Sequence, residues 1–319
     1  MGERRPTMGR MTTRGSDDRP VLVVLAAGMA KRYGGCKPLA PVGLHGEAVI
    51  DLIAGDSASA GFGEVVLVLG PQTGPAIRYH VRRCFPSWLG VSFTEQRVPL
   101  GTAHAVLCAR KHVGDGPFAV VNADDVYGAP AMSLLAGRLA EGDEHAIVSY
   151  RLRDTVVADA PVTRGICEVG PDGHLVRLVE RRGVARRPDG AFDVGDGLDP
   201  GVLSGTTPVS MNLWGFQPSI WPVLETAVLS AHPSVSPDGA VPDPAALTDD
   251  AEVLLPEVVG DMIAGRTDLR AGDATVRVLD GPGRCIGVTH ADDLPLVRNE
   301  LALMVAQGLR PEGPWDPAP

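Results

Sequence analysis

The feature that most constrains the fold is an unbroken apolar run at residues 21–26, VLVVLA, which passes directly into a glycine-rich loop. Strands that are buried on both faces of a parallel sheet have such runs, because helices cover both faces of the sheet. Similar runs recur at residues 64–69 and 118–122. We therefore expect a parallel sheet at the centre of the fold.

Helical patterns separate these strands, and a change of pattern follows them. We expect helices at 48–60, 74–83 and 102–111, with a further strand at 91–94. Alternating strands and helices imply right-handed βαβ units. From about residue 145 strands dominate, at 146–152, 165–169, 174–179 and 209–216, and a strand at 275–279 then lies between helices at 251–266 and 291–308. The fold class is α/β: a Rossmann-like α/β/α sandwich with a mixed-sheet part and a C-terminal helical extension.

Composition divides the chain further. Residues 1–19 are polar and without apolar periodicity, so we expect a disordered tail before a core at 20–230. Stretches rich in Gly, Pro and Asp or Ala at 183–207 and 231–250 predict long loops. Residues 251–319 are expected to complete the core and to add helices.

Charge and cysteine content exclude several classes of protein. The 29 Lys and Arg against 39 Asp and Glu give a net charge of -10, which disfavours a sequence-independent grip on nucleic acid. No apolar run reaches the roughly 18 residues of a membrane span, and the start of the chain lacks the apolar centre of a signal peptide. The five cysteines are scattered. We expect a soluble, cytoplasmic protein with reduced thiols.

The loop at residues 25–43, LAAGMAKRYGGCKPLAPVG, is the sharpest motif. Free amides of a glycine-rich loop can cradle phosphates, and Arg32 and Lys37 add charge-assisted contacts. This combination suits a triphosphate. The patterns GxGxxG and GxxxxGK[ST] are both absent, so neither a dinucleotide-binding dehydrogenase nor a P-loop NTPase is supported.

This loop resembles the opening motif of the sugar-1-phosphate nucleotidyltransferases, LAAGxGxRxxxxxK, whose core is GT-A-like. The resemblance implies that Arg32 and Lys37 are catalytic and neutralise the triphosphate. It also implies that the main chain of the preceding residues binds the nucleotide: Leu25, Ala26, Ala27 and Gly28. Two departures are Ala30, where the family has glycine, and a short spacing from Arg32 to Lys37 that also occurs in cytidylyl- and guanylyltransferases.

The stretch 96–109, QRVPLGTAHAVLCA, carries the expected base pocket. The Gln96 amide has both a donor and an acceptor for a pyrimidine edge, and Gly101 lets a base lie against the backbone. The stretch resembles that of UTP:glucose-1-phosphate uridylyltransferases and glucose-1-phosphate thymidylyltransferases, with Pro99 and Thr102 in the binding segment. UTP or dTTP is therefore favoured. His104 is expected to pack or to support rather than to act as a base.

The run 118–128, FAVVNADDVYG, ends a buried strand in two carboxylates. Carboxylates at the carboxyl end of a parallel strand can hold a hard cation, and Mg²⁺ is the natural candidate. The resemblance places Asp124 on the metal ligand. The family's second metal carboxylate falls on Gly287 here, so Asp125, Asp280 or Asp292 is expected to replace it.

Two later segments resemble the acceptor side of the family. In LVERRG at 178–183, Glu180 would accept hydrogen bonds from sugar hydroxyls and Arg181 would contact the phosphate, although both also fit exposed strand positions. In VSMNLWGF at 209–216, Asn212 would touch the sugar.

The function that the resemblance implies is transfer of a nucleotidyl group from an NTP to a sugar-1-phosphate, which gives an NDP-sugar and pyrophosphate with Mg²⁺ as cofactor. Two alternatives stay open: a cytidylyl- or guanylyltransferase for another phosphorylated acceptor (a cyclitol phosphate, a phosphocholine-like group or molybdopterin), and a non-catalytic nucleotide-binding regulatory paralogue. We expect no nucleic-acid or membrane partner, and homo-oligomers are compatible with the sequence.

Overall fold

The computed structural model describes residues 19–28, 34–142, 144–157, 160–241, 247, 251–266, 275–288 and 291–316. Residues 1–18 of the expected tail lie outside this part of the chain, and so does Arg32. Within it, no helix is both long and apolar enough to cross a lipid bilayer.

Four parallel strands form the first half of the sheet. They are β1 (Val21–Ala26), β2 (Glu64–Leu69), β3 (Gly90–Glu95) and β4 (Phe118–Asn122). Their order across the sheet is β4-β1-β2-β3. The expected parallel sheet is confirmed, and three of its strands have the bounds of the apolar runs.

This strand order positions a ligand site. From β1 the chain moves outward through β2 to β3, and then returns to place β4 on the other side of β1. A crevice opens outside the carboxyl ends of the strands where the order reverses in this way, and ligands of open α/β sheets bind there. The ends of β1 and β4 are therefore where function is expected.

The second half of the sheet is mixed. It contains β6 (His145–Arg151), β7 (Val162–Val169), β8 (Leu175–Arg186), β11 (Pro208–Phe216) and β12 (Val276–Asp280). Strand β11 pairs antiparallel with β4, β6 and β7, and β12 pairs parallel with β6. A separate two-stranded sheet joins β5 (Asp125–Val126) to β13 (Ile286–Gly287). The mixed-sheet part of the expected fold is thus confirmed.

Helices cover both faces of the sheet. Their bounds are α1 (Val49–Ser59), α2 (Gly74–Cys84), α3 (Thr102–Cys108), α4 (Arg110–Val113), α5 (Ala129–Glu141), α6 (Trp221–Ala231), α7 (Leu255–Ile263) and α8 (Leu294–Ala306). Helices α1, α2, α5 and α8 contribute to one apolar cluster, and α3, α6 and α7 contribute to another. The arrangement is the expected α/β/α sandwich.

Strand β1 illustrates why its sequence is apolar throughout. Leu22 and Val24 belong to the first cluster, whereas Val23 belongs to the second. Successive side chains of a strand point to opposite faces, so a strand between two helical layers needs apolar residues at every position. The unbroken run at 21–26 is the direct consequence.

The expectation of a long loop over residues 183–207 is wrong in part. Strand β8 continues to Arg186, and two short strands follow, β9 (Phe192–Asp193) and β10 (Val202–Leu203), which extend the sheet. Phe192 is fully buried in a third apolar cluster that also contains Val184 and Leu203. The few apolar residues of this segment thus pack together in the folded chain. The Gly, Asp and Pro residues between them hide the alternating pattern that would predict strands.

Two helix expectations also need correction. The helix expected at 102–111 is divided into α3 and α4 at Ala109, where the backbone bonds shift to three-residue spacing. The helix expected from residue 251 begins only at Leu255. Before it the chain is extended, because the Val253 N–H donates to the Leu100 carbonyl and the Ala103 N–H donates to the Val253 carbonyl.

We expect Phe192→Ala to lower the free energy of unfolding by about 3–5 kcal/mol, since it empties the centre of the third cluster. Val202→Ala in the adjacent strand is the matched control, because Val202 is 46% exposed and should change stability by less than about 0.5 kcal/mol. Urea unfolding followed by circular dichroism measures both. Equal midpoints for the two variants would contradict the assigned core.

Candidate functional site

A cavity of about 170 Å³ opens at the carboxyl ends of β1 and β4, where the strand order predicts a ligand. Its lining residues are Leu25, Ala26, Gly28, Lys37, Pro38, Ala123 and Asp124. Ala27 lies between two of these residues in sequence. Its carbonyl oxygen would lie 2.5 Å from a Cβ atom placed on Gly70. The structure therefore brings together the expected loop, the lysine and the first aspartate.

One basic and one acidic side chain face each other across this cavity. Lys37 Nζ lies 3.3 Å from Asp124 Oδ2, and their side chains are 17% and 36% exposed. Lys37 begins a short 3₁₀ turn, Lys37–Leu39, which the buried Pro38 anchors. The turn holds the ammonium group at the mouth of the crevice, where it is available to an anion.

Asp125 is buried next to Asp124 and differs from it in environment. Its Oδ2 accepts hydrogen bonds from Asn122 Nδ2 at 3.2 Å and from the Tyr127 hydroxyl at 3.4 Å. Burial, and then the negative charge of Asp124, raise the pKa of the Asp125 carboxyl to about 7. Two carboxylates held this close favour a bound cation, because it relieves their repulsion.

Gly287 explains how the chain accommodates Asp125. Strand β13 pairs Gly287 directly with Asp125, and a Cβ at position 287 would lie 2.3 Å from Asp125 Oδ1. A side chain at 287 and the present orientation of Asp125 are therefore mutually exclusive. The Asp125 carboxylate fills the space at which the expected aspartate side chain would begin.

The other two candidates for a second metal ligand are exposed. Asp280 is 77% exposed and ends β12, three strand spacings from β4, or about 14 Å. Metal ligands lie within about 2.6 Å of the ion, so this separation disfavours a cation shared by Asp280 and Asp124. Asp292 is an exposed residue of the turn before α8.

The expected base pocket lies at the same edge of the sheet. Gln96 follows β3, is 6% exposed and donates from Nε2 to the Gly101 carbonyl at 2.8 Å. Pro99 is exposed between them, and the Thr102 hydroxyl accepts a hydrogen bond from the Leu255 N–H at 2.8 Å. The two residues that the sequence pairs at a spacing of five are thus in direct contact.

Asn212 lies at a second, much narrower cavity of about 20 Å³. It shares the lining with Leu25, Thr102, Val120, Asn122, Trp214, Leu255 and Pro256. Asn212 has φ of 60°, at an irregularity in the pairing of β11 with β6. Trp214 Nε1 donates to Asn212 Oδ1 at 3.2 Å, which leaves the amide nitrogen of Asn212 for another partner. Leu25 lines both cavities, so they adjoin.

The two residues of the acceptor motif on β8 have opposite environments. Glu180 is exposed and pairs with Arg182. Arg181 is 3% exposed, and it donates to Asp196 at 2.7 and 3.0 Å and to the carbonyls of Leu198 and Pro200. This disfavours the expected phosphate contact, because the Nε and Nη2 donors of the guanidinium are already used to fasten the loop 196–200.

Sequence reasoning missed two residues of the site. Asn122 lines the narrower cavity and bonds Asp125, and its position at the end of an apolar strand is a signal that was available. Arg164 on β7 lies close enough to lower the pKa of Asp125, although its donors reach Thr155 and the Thr163 carbonyl. No local motif marks Arg164, since only strand pairing brings it near.

Within the described residues no group of three or more His, Cys, Asp or Glu side chains is arranged to hold a metal ion. Mg²⁺ commonly binds to one or two carboxylates and completes its shell with substrate phosphates and water. The Asp124 and Asp125 pair fits that mode of binding. The site is therefore compatible with a cation that arrives with a nucleotide.

Fold and site together define an α/β sandwich with a basic and an acidic group at its switch point. Residues 22–235 match the family model described as the MobA-like NTP transferase domain. The match covers more than half of the chain, and the chain belongs to this family.

Curated relatives agree with this assignment at low identity. The bifunctional protein GlmU of Caldanaerobacter subterraneus subsp. tengcongensis is 25% identical over 183 residues, which are 56% of this chain and 37% of that protein. Glucose-1-phosphate thymidylyltransferase of Mycolicibacterium smegmatis is 24% identical over 164 residues, 50% of this chain and 54% of that enzyme. The corresponding enzyme of Streptomyces antibioticus is 33% identical over 124 residues, 39% of this chain and 33% of the relative. The chain thus spans from a third to about half of the length of these relatives.

We expect Gly101→Ala to disrupt the base pocket, since the new Cβ would lie 2.3 Å from the Val253 carbonyl oxygen. Gly114→Ala is the control, because Gly114 also has a positive φ but nothing lies within 4 Å of its Cβ position. Both variants carry backbone strain, and only the first adds a clash, so Gly101→Ala should be less stable than Gly114→Ala by about 1–3 kcal/mol. Equal melting temperatures would contradict the close approach of residues 101 and 253.

Proposed function

We propose that the protein transfers a nucleotidyl group from an NTP to a sugar-1-phosphate, with release of pyrophosphate. The observation that carries the proposal is the placement of Lys37 and Asp124, 3.3 Å apart, at the switch point of the sheet in a cavity of about 170 Å³. The family and the names of its relatives support the same reaction class.

The triphosphate would lie along the cavity, where the main chain of Leu25 to Gly28 and the Lys37 ammonium contact its oxygens. A positive group that is largely buried attracts an anion more strongly than one in open solvent, because water screens it less. The net charge of -10 makes such a local group necessary for binding an anion. Arg32, outside the described residues, is proposed for the same role on the resemblance alone.

Asp124 and Asp125 are the proposed holders of Mg²⁺. Both are carboxylates at the end of β4, and the negative charge of Asp124 raises the pKa of the Asp125 carboxyl. When bound, the ion supplies positive charge to the phosphate oxygens. Asp125 is preferred as the second ligand because its carboxylate lies against Gly287, the position where the family places that ligand.

The acceptor would bind beside the nucleotide, over the narrow opening that Asn212 lines. The amide nitrogen of Asn212 is free for a sugar oxygen because Trp214 already occupies the amide oxygen. Glu180 is exposed and is proposed to accept hydrogen bonds from sugar hydroxyls. Relatives named glucose-1-phosphate thymidylyltransferase support a sugar-1-phosphate as the acceptor.

In the proposed reaction an acceptor phosphate oxygen attacks the α-phosphorus in line, and pyrophosphate leaves with its electron pair. The acceptor is itself the nucleophile, so no covalent enzyme intermediate is required. The contribution of the chain is to position the two substrates and to stabilise negative charge on the leaving group through Lys37 and the loop amides.

A substrate panel tests this proposal. UTP, dTTP, CTP, GTP and ATP are each combined with glucose-1-phosphate and related sugar-1-phosphates, and pyrophosphate release is measured. We propose that UTP or dTTP is preferred, and we expect turnover with at least one sugar-1-phosphate. Tight NTP binding without turnover on any acceptor would instead favour a regulatory nucleotide-binding protein.

We expect Lys37→Met to reduce kcat/KM by about a hundredfold or more, because a charge-assisted contact to the transition state is lost while the aliphatic stem remains. Arg177→Met is the control, since Arg177 is also basic but is 65% exposed on β8. Steady-state kinetics and melting temperatures are measured for both. Full activity of a folded Lys37→Met protein would remove Lys37 from the phosphate site.

We expect Asp124→Asn and Asp125→Asn to weaken binding of Mn²⁺, used as a probe for Mg²⁺, in the presence of NTP. An amide holds a hard cation less well than a carboxylate does. Asp280→Asn removes an equal charge about 14 Å away and should leave the affinity unchanged. Mn²⁺ titration followed by electron paramagnetic resonance decides the matter, and an effect of Asp280→Asn equal to the others would point to a general charge effect.

A further inference from the structure

A chain of three hydrogen-bonding groups fixes the direction of the Gln96 amide. Gln96 Nε2 lies 2.8 Å from the Gly101 carbonyl oxygen and 3.1 Å from His104 Nδ1. His104 Nε2 in turn lies 2.8 Å from the carbonyl oxygen of Gly239. Gly239 is 135 residues from His104 in sequence, in a Pro-rich segment that joins α6 to α7.

The neighbouring acceptors determine which atoms of His104 and Gln96 carry hydrogens. A backbone carbonyl only accepts, so the His104 nitrogen facing Gly239 carries the hydrogen. Burial lowers the pKa of His104, against hydrogen bonds to the Gly239 and Val98 backbones that raise it, and in a neutral ring with its hydrogen on Nε2 the Nδ1 atom is an acceptor. The Gln96 atom that lies between His104 Nδ1 and the Gly101 carbonyl must then be the nitrogen, because both of its neighbours accept.

The amide oxygen of Gln96 consequently faces away from these groups. Within the described residues no hydrogen bond reaches Oε1, and it is not among the fully buried atoms that lack a partner. Gln96 continues the edge of the parallel sheet, where its N–H donates to the Leu69 carbonyl at 2.9 Å. Within the described residues the oxygen is thus without a hydrogen-bond partner, and Gln96 lies at the edge of the sheet where the parallel strands end, the edge that also carries the Lys37 and Asp124 cavity.

Two features hold the turn at Gly239 close to α3 and His104. Gly239 has φ of 77°, and a Cβ there would lie 2.9 Å from the backbone nitrogen of Cys108 in α3. The neighbouring Asp238 forms an ion pair with Lys111 of α4, whose hydrogen bond lowers the pKa of Asp238 to about 2. Glycine permits the close approach to α3, and the ion pair holds the turn against the helix.

We propose that His104, held by the Gly239 carbonyl, is a positioning residue that turns the Gln96 oxygen towards the base and thereby selects bases with a ring N–H. Uracil and thymine carry such a group at N3, and guanine and hypoxanthine carry it at N1. Cytosine and adenine have a lone pair at the corresponding nitrogen, which the fixed oxygen repels. The inference rests on the proposed binding of NTPs and defines which edge of the base is recognised.

Binding assays with matched nucleotide pairs test the inference without an acceptor. UTP and CTP differ at the recognised edge, as do ITP and ATP, and calorimetry with Mg²⁺ and the full chain gives their affinities. In the wild type we expect UTP to bind about tenfold or more tightly than CTP if pyrimidine nucleotides bind. We expect ITP to bind about tenfold or more tightly than ATP if purine nucleotides bind. Preference for CTP or ATP would overturn the inference and leave NTP binding intact, whereas no binding of any NTP would overturn the proposed function.

Variants separate positioning from a structural role. His104→Phe keeps a ring but removes one of the two acceptors for Gln96 Nε2, so the amide is held less firmly and the UTP to CTP ratio should fall towards unity. His104→Asn returns an oxygen near the Nδ1 position and should restore the ratio. Gly239→Ala, outside the expected base pocket, should lower the ratio in the same direction. Equal losses for both nucleotides, with the ratio unchanged, would mean that His104 only packs.

A measurement on the wild type does not depend on the folding of any variant. The ¹⁵N chemical shifts of the His104 ring report which nitrogen carries the hydrogen. We expect Nε2 to be protonated and Nδ1 to be free at neutral pH. A ring with its hydrogen on Nδ1 would reverse the chain of donors and would overturn the inference directly.

Discussion

Burial of β1 on both faces is the constraint on which the rest of the structure depends. Its side chains enter two apolar clusters alternately, so helices must cover both faces of the sheet. A strand that is covered in this way pairs with neighbours on both edges, and here they are β2 and β4. The crevice at the carboxyl ends of β1 and β4 follows from this pairing, and the candidate site lies in it.

Strand β11 connects the two halves of the molecule. One edge of β11 pairs with β7 near its start and with β4 near its end, and the other edge pairs with β6 along most of its length. The proposed nucleotide side and the proposed acceptor side therefore share one sheet. The irregularity between Ser210 and Leu213 allows Asn212 to adopt its positive φ. A break in regular pairing thus places a polar amide next to the cavity, in a strand that is otherwise apolar.

Electrostatics at the site are local and compensated. Lys37 faces Asp124 across the cavity, and Asp125 is buried behind it among Asn122 and Tyr127. The absence of a side chain at Gly287 leaves room for the Asp125 carboxylate. The pair of positions 125 and 287 behaves as one unit, because a larger residue at one requires a change at the other. Such a coupling is invisible when each motif is considered alone.

The sequence by itself determined the parallel half of the fold, because each strand between two helical layers must be apolar at every position. It also identified the segments that meet at the ligand edge, since Asp124 closely follows one buried strand and Lys37 lies in the loop that leaves another. These signals are local. They depend on a few consecutive residues and on the fixed direction of parallel strands.

Only the tertiary structure decided the remaining questions, because they depend on residues that are distant in sequence. Arg181 is buried in an ion pair with Asp196, and Asp280 is separated from the site by two intervening strands. Phe192 is buried by short strands that the composition of their segment did not indicate. The direction of the Gln96 amide depends on a carbonyl more than a hundred positions away. The type of a residue sets which hydrogen bonds it can form, whereas the packing of distant segments sets which of them it does form.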